Sequence, residues 1–269
     1  MITIKNEDFD IEKIADSGQC FRLNRCGDHW LNIAGDRALR IYDCGDGSYK
    51  LDCTKKEFNA FWAPYFDLES DYSSYRASVP ESDAFLCAAA DYGRGIRILR
   101  QDPWEMLITF ILSQRKNIPA IKAGVEALCR NYGDHLSYTS LEDMYAFPSI
   151  YSLAHATENK LKECGLGYRV PYIISAARAV DSGEIDLSAI AALPDEELLA
   201  ELMKLYGVGI KVANCISLFA YHRINAFPID VWIARVLDEK YGGFFDSSIY
   251  EGYKGVIQQY MFYYIRSNH

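Results

Sequence analysis

The sequence predicts an α+β protein: a small antiparallel β-rich N-terminal domain over residues 1–95 followed by an all-α domain over residues 96–269. Two textures predict it. Residues 1–62 hold short alternating runs broken by Gly and Asp, as in HWLNIAGDRALRIYDCGDGSYKLD, and read as strands and turns. From about residue 81 the runs lengthen and take on helix caps, as in SDAFLCAAADYG, which opens on a capping Ser or Asp and closes on Gly.

The elements follow in order. His29–Ala34, Ala38–Tyr42 and Ser48–Leu51 alternate as strands, with CGDGS (44–48) as a hairpin turn between the last two. Asp102 followed by Pro103 starts a helix, since Asp accepts from the free first-turn amides and Pro has none to lose. Its apolar run Met106–Leu112 is too continuous for a surface helix and is predicted to be central. Polar SQRKN (113–117) interrupts it before a second apolar face, Ile118 to Leu128, ending at Gly133. Further helices are predicted at about 140–146, 149–155, 157–163, 169–181, 195–205, 210–221, 230–240 and 246–266.

Composition narrows the function classes. Half of the 269 residues are hydrophobic, an ordinary globular value. No run of about 18 apolar residues predicts a membrane span, and MITIKNEDFDIEKI lacks a signal core, so a cytoplasmic protein is expected. The net charge of −9 argues against nucleic-acid binding by the whole surface while leaving room for a local basic face. Eight cysteines form no C-x-x-C pair and no zinc spacing, so no metal is expected.

LYGVGIKVANC (205–215) carries the chemistry. DEELLAELMKLY is an amphipathic helix, GVG turns the chain, and IKVANCISLFAY resumes as helix, a helix-hairpin-helix over about 195–221. Gly207 and Gly209 permit a positive φ and close approach of another backbone. They also expose helix amides that suit a phosphate. Lys211 stands in the first helical turn, where the dipole disfavours a cation. Desolvation and that positive end would both lower the lysine pKa, which makes its amine a nucleophile. A nucleotide P-loop fails because Val212 follows the lysine, and a dinucleotide fingerprint fails for want of Gly at 212 and a preceding strand. Asp230, taken alone, reads as an N-cap. Cys215 stands four residues after Lys211, on the same helix face.

LYGVGIKVA with FPIDVWIARV resembles the hairpin and catalytic loop of base-excision DNA glycosylases. SGQCFRL (17–23), GIRILRQDPWEMLITFILSQRKNI (95–118), GLGYRVPYI (165–173) and YKGVIQQYMFYY (253–264) resemble, in the same order, segments of the 8-oxoguanine DNA glycosylases. With no cysteine after Cys215, the iron–sulfur branches of the superfamily are not matched.

The resemblance implies roles residue by residue. Lys211 matches the nucleophile that forms a Schiff base, and Asp230 the carboxylate that supports it. Gly18 matches the glycine whose carbonyl accepts the proton on N7 of the oxidised base. Guanine has a bare acceptor there, and a buried site that loses such a bond forfeits about 1–3 kcal/mol. Cys215 and Phe262 match the pair that sandwich the flipped base, and Gln258 the amide that reads its Watson–Crick edge. Tyr168 matches the aromatic wedge and Arg169 an arginine that contacts the base left behind.

The departures lie in the loop facing that base. Arg115 and Asn117 belong to an Arg-Lys-Asn run where eukaryotic relatives carry three asparagines, a second cytosine-reading arginine falls on Ala120, and a histidine becomes Trp232. Weaker discrimination among opposite bases is therefore expected. The implied partner is double-stranded DNA containing 8-oxoguanine, bound by a monomer. No cofactor is required, and a monovalent cation at the hairpin is typical of the resembled fold. Two alternatives stay open: a glycosylase for alkylated bases, and a non-catalytic hairpin module that binds DNA.

Overall fold

The computed structural model describes residues 1–136 and 143–268. Its N-terminal part is a five-stranded antiparallel sheet made of β1 (Ile2–Lys5), β2 (Leu23–Cys26), β3 (His29–Ala34), β4 (Arg37–Asp43) and β5 (Ser48–Leu51), in the order β1-β5-β4-β3-β2. Two-residue connections join β2 to β3 and β3 to β4, which fixes Cys26 opposite His29 and Ala34 opposite Arg37. On β4 the alternation buries Leu39 and Ile41. They meet Leu23, Leu51 and the aromatic pair Trp62 and Phe66 in one core.

The expected α+β class holds, with corrections to its elements. The N-terminal part is not strands and turns alone. Ile11–Asp16 is a helix capped by Asp10, and its buried Ile11 and Ile14 cover the sheet. Lys55–Glu57, Phe58–Trp62 and Ala63–Tyr65 run on as a second helical stretch, its middle a π-turn. Tyr72–Ala77 is a third. The predicted helix at 140–146 falls partly outside the described residues, at 140–142. Its described remainder forms a turn and an antiparallel bridge, His135 to Tyr145. The helix predicted over 246–266 is two elements, a 3-10 turn Ser247–Tyr250 and a helix Lys254–Ser267. Gly252, at φ +93°, parts them in a conformation that a helix interior excludes.

Pro103–Ser113 is the central helix. Asp102 caps it by accepting from the Glu105 amide at 2.8 Å, and every residue from Trp104 to Ser113 is buried. Each fully buried Leu or Ile contributes about 1.5–3 kcal/mol. One acidic residue interrupts this face: burial pushes the Glu105 carboxyl up to about 7, although Arg22 at 3.9 Å pulls the other way. Phe110 stacks on Phe219 at 5.5 Å and so joins the central helix to the helix Ile210–Phe219. Ala84–Tyr92 shares the core of the helical part rather than that of the sheet.

Candidate active site

Asp195–Met203, the turn around Gly207 and Ile210–Phe219 form the predicted helix-hairpin-helix. Gly207 sits at φ +85°, and a Cβ there would lie 2.5 Å from the Tyr172 ring, so its glycine is dictated from inside the protein. The Gly207 carbonyl accepts from the Gln114 amide at 3.0 Å, which ties the turn to the end of the central helix. Gly209 differs. It is the N-cap of the second helix, has no side-chain cap bond, and a Cβ on it would meet only open space. The first amides of that helix therefore face outward without a side chain over them.

Lys211 follows in the first turn of this helix, half-buried, with Nζ 5.8 Å from the centre of the Phe110 ring. Cys215, one turn on, is buried, and burial pushes its thiol up while neighbouring Lys211 opposes the shift. A neutral thiol is a packing surface, which suits a stacking role better than a nucleophilic one. Asp230 caps the helix Val231–Tyr241: its Oδ1 accepts from the Trp232 amide at 3.0 Å and the Ile233 amide at 2.9 Å. Oδ1 alone makes both bonds, so the cap leaves Oδ2 for other work.

Six predicted residues converge on one space. Gly18, Lys211, Cys215, Asp230, Gln258 and Phe262 line a cavity of about 50 Å³, together with Phe110, Phe219, Pro228 and Gln259. That is room for a few water molecules at most. It opens into a groove of about 930 Å³, and Gly18, Phe110, Lys211, Asp230 and Phe262 line both. Arg115, Lys116 and Arg266 add positive charge to the groove of a chain whose net charge is −9.

Gly18 and Phe262 close the cavity on each other. Gly18 is at φ +75°, and a Cβ there would stand 3.0 Å from the edge of the Phe262 ring. The loop is held rigidly: the buried Gln19 side chain donates to Ser17 Oγ and to the Arg97 carbonyl and accepts from the Leu99 amide, each at 2.8 Å. Gln258 comes from the helix Lys254–Ser267 and donates to the Pro228 carbonyl at 3.0 Å, two residues before Asp230.

The predicted DNA-facing residues divide. Arg115 is exposed at φ +53°, and Tyr168 is 49% exposed on the 3-10 turn Gly167–Arg169. Tyr172 meets Tyr168 at 6.0 Å and Tyr206 at 4.7 Å, linking this turn to the hairpin. Asn117 is exposed, but its side chain caps the helix Ile118–Tyr132 by accepting from the Ala120 amide. Arg169 faces inward. It is 5% exposed, and its guanidinium donates to the Gln114 and Leu166 carbonyls under the Tyr168 ring. To reach DNA it would have to leave those carbonyls. Sequence reasoning missed Phe110 and Phe219, which look like ordinary core residues in apolar runs, and Gln259, whose signal was a second glutamine in an aromatic helix.

A family model described as 8-oxoguanine DNA glycosylase, N-terminal domain, matches residues 1–107. One described as HhH-GPD superfamily base excision DNA repair protein matches residues 108–243. A solved structure of Clostridium acetobutylicum 8-oxoguanine glycosylase/lyase, in complex with double-stranded DNA containing cytosine opposite 8-oxoguanine, superimposes with a TM-score of 0.90 at 34% identity, covering 97% of this chain and 93% of that one. The chain belongs to the 8-oxoguanine DNA glycosylase family. Among curated relatives, an N-glycosylase/DNA lyase of Saccharomyces cerevisiae is 36% identical over 76% of this chain and 54% of its own length. One of Arabidopsis thaliana is 32% identical over 82% of this chain and 63% of its own length. The chain thus spans less than two thirds of these two family members.

Proposed function

We propose that the protein excises 8-oxoguanine from double-stranded DNA and then nicks the strand at the resulting site. The convergence of Lys211, Asp230, Gly18, Cys215, Gln258 and Phe262 on one cavity at the floor of a cationic groove supports this reading most. The groove takes the flipped nucleotide. The cavity is too small for a purine until the Phe262 ring moves off Gly18. Once inside, the base is sandwiched by Cys215 and Phe262, its N7 proton meets the Gly18 carbonyl, and Gln258 reads its pairing edge.

Lys211 supplies the nucleophile. Its deprotonated amine bonds to the anomeric carbon, C1′, while the bond to the base breaks and the base leaves with the electron pair. Positive charge develops on the sugar, and the Asp230 carboxylate stabilises it. The sugar ring then opens to a Schiff base on Lys211, and loss of a C2′ proton expels the 3′ phosphate by β-elimination.

Lysine, aspartate and water suffice for these steps, so no cofactor is needed. A monovalent cation at the hairpin would rest on turn carbonyls. Those of Leu205 and Gly207 already accept from the Val208 amide and Gln114, and each keeps a second lone pair. We place the working enzyme on DNA in the cytoplasm, as a monomer. Among the described residues no helix is long and apolar enough to cross a membrane. We also read the chain as a sheet part and a helical part with separate buried cores, the boundary lying ahead of Ala84–Tyr92 rather than at residue 95, because that helix packs in the helical core.

The test is a panel of duplexes carrying 8-oxoguanine opposite C, T, G or A, and one carrying an alkylated purine. The expected result is 8-oxoguanine release with strand cleavage, no action on the alkylated base, and rates across opposite bases within about tenfold, the worth of one good contact. Preference for the alkylated base would overturn the substrate. A preference for cytosine of several hundredfold would overturn the reading of Arg115 and Ala120.

A further inference from the structure

Gln259 stands beside Gln258 on the helix Lys254–Ser267, and both are only 3% exposed. Their amides form a chain whose direction is dictated at one end. The Pro228 carbonyl can only accept, so the group facing it at 3.0 Å is the NH2 of Gln258. Gln258 Oε1 therefore lies on the other side, where Gln259 Nε2 donates to it at 3.1 Å. That in turn fixes Gln259, whose Oε1 is buried without a partner among the described residues while Gln259 lines the same cavity as Lys211 and Phe262. Reversing the chain would set two acceptors, Pro228 O and Gln258 Oε1, against each other.

The pair thus offers the cavity a fixed pattern: the second N–H of Gln258 as donor and Gln259 Oε1 as acceptor. A guanine-type edge presents the complement, the O6 acceptor beside the N1–H and 2-amino donors, whereas an adenine-type edge presents the reverse order. We propose that Gln259 is a specificity residue whose Oε1 accepts a hydrogen bond from the 2-amino group of the oxidised base. This rests on the reading of the cavity as the base pocket.

The test compares excision of 8-oxoguanine with that of the same oxidised purine lacking the 2-amino group, in matched duplexes, by wild type, Gln259→Leu and Gln259→Met. Wild type should prefer the amino-bearing base by about 10- to 100-fold, the range for a buried acceptor left unpaired. In both variants the preference should fall to within about threefold, chiefly through slower action on 8-oxoguanine. The ratio is internal to each preparation, so a partly folded variant does not disguise it. Equal action of wild type on both bases, or an undiminished preference in both variants, would refute the role of Gln259 alone. Action of wild type on neither would remove the base-pocket reading and this inference with it.

Discussion

At the scale of single residues, the proposed role of Asp230 at the sugar falls to the oxygen that its cap does not use. Oδ1 is committed to the amides of Trp232 and Ile233, and the cap leaves Oδ2 for that proposed role. The cap and that role separate by substitution. Asp230→Asn keeps a cap of equal quality, so its thermal midpoint should stay close to that of wild type. Asp230→Ala should lose about 1 kcal/mol. Excision should fall at least about 100-fold in both, as loss of a charge-stabilising or proton-moving group does. A single-turnover assay beside thermal melts checks this, and a fully active Asn variant would reduce Asp230 to a cap. Lys211 and Asp230 were legible because their types and spacing repeat a motif. Gln259 was not, because its role comes from a hydrogen-bond chain that begins at a carbonyl 31 positions away in sequence.

At the scale of elements, the two hairpin glycines have different reasons to be glycine. Gly207 is constrained by positive φ and by Tyr172 behind it; Gly209 has open space before it. Gly207→Ala should therefore cost about 2–4 kcal/mol in stability, from backbone strain plus overpacking. Gly209→Ala should cost less than about 1 kcal/mol and weaken duplex binding instead. Melting curves and a binding titration on each variant distinguish the two. Equal destabilisation by both would contradict the account. Sequence reading placed the helices that open on Asp102, Asn117 and Asp230, because a side-chain cap is a local signal. It missed the helical stretch through Phe58–Trp62, where aromatic residues and a π-turn break the 3.6-residue period. It also overran the last helix at Gly252, because glycine alone does not mark a break there: Gly255, three residues on, lies inside the helix Lys254–Ser267.

At the scale of the whole molecule, a polar node holds the sheet part to the hairpin part. Arg100 donates to Asp67 Oδ1 at 2.8 Å, Tyr72 donates to Oδ2 at 3.0 Å, and His222 Nε2 lies 3.4 Å from Oδ2. Buried Arg97 stacks on Tyr72 and donates to the Phe66, Asp67, Ser70 and Asp8 carbonyls. Burial alone would raise the Asp67 carboxyl; hydrogen bonds from His222 and Arg100 and the charge of His222 overcome it and hold it down to about 2. A carboxyl depressed in the folded state stabilises above its unfolded pKa of about 3.9, and the contribution is lost as pH falls towards 2. Its worth in the acid range is about 2 kcal/mol. Asp67→Asn should therefore be less stable than wild type by about that amount at pH 5, with the gap closing between pH 4 and pH 2 in urea titrations. A gap that is constant with pH would contradict the assignment. This node was invisible in the sequence, since its members are spread from Asp8 to His222 with no period or motif to join them.

The central claim, that Lys211 attacks C1′ of the damaged nucleotide and displaces its base, is tested most directly by borohydride trapping on duplex DNA containing 8-oxoguanine. Reduction should freeze the Schiff base as a stable covalent protein–DNA adduct whose modified peptide contains Lys211, and Lys211→Gln should give none. Absence of an adduct with wild type, or an undiminished adduct with Lys211→Gln, would contradict the account.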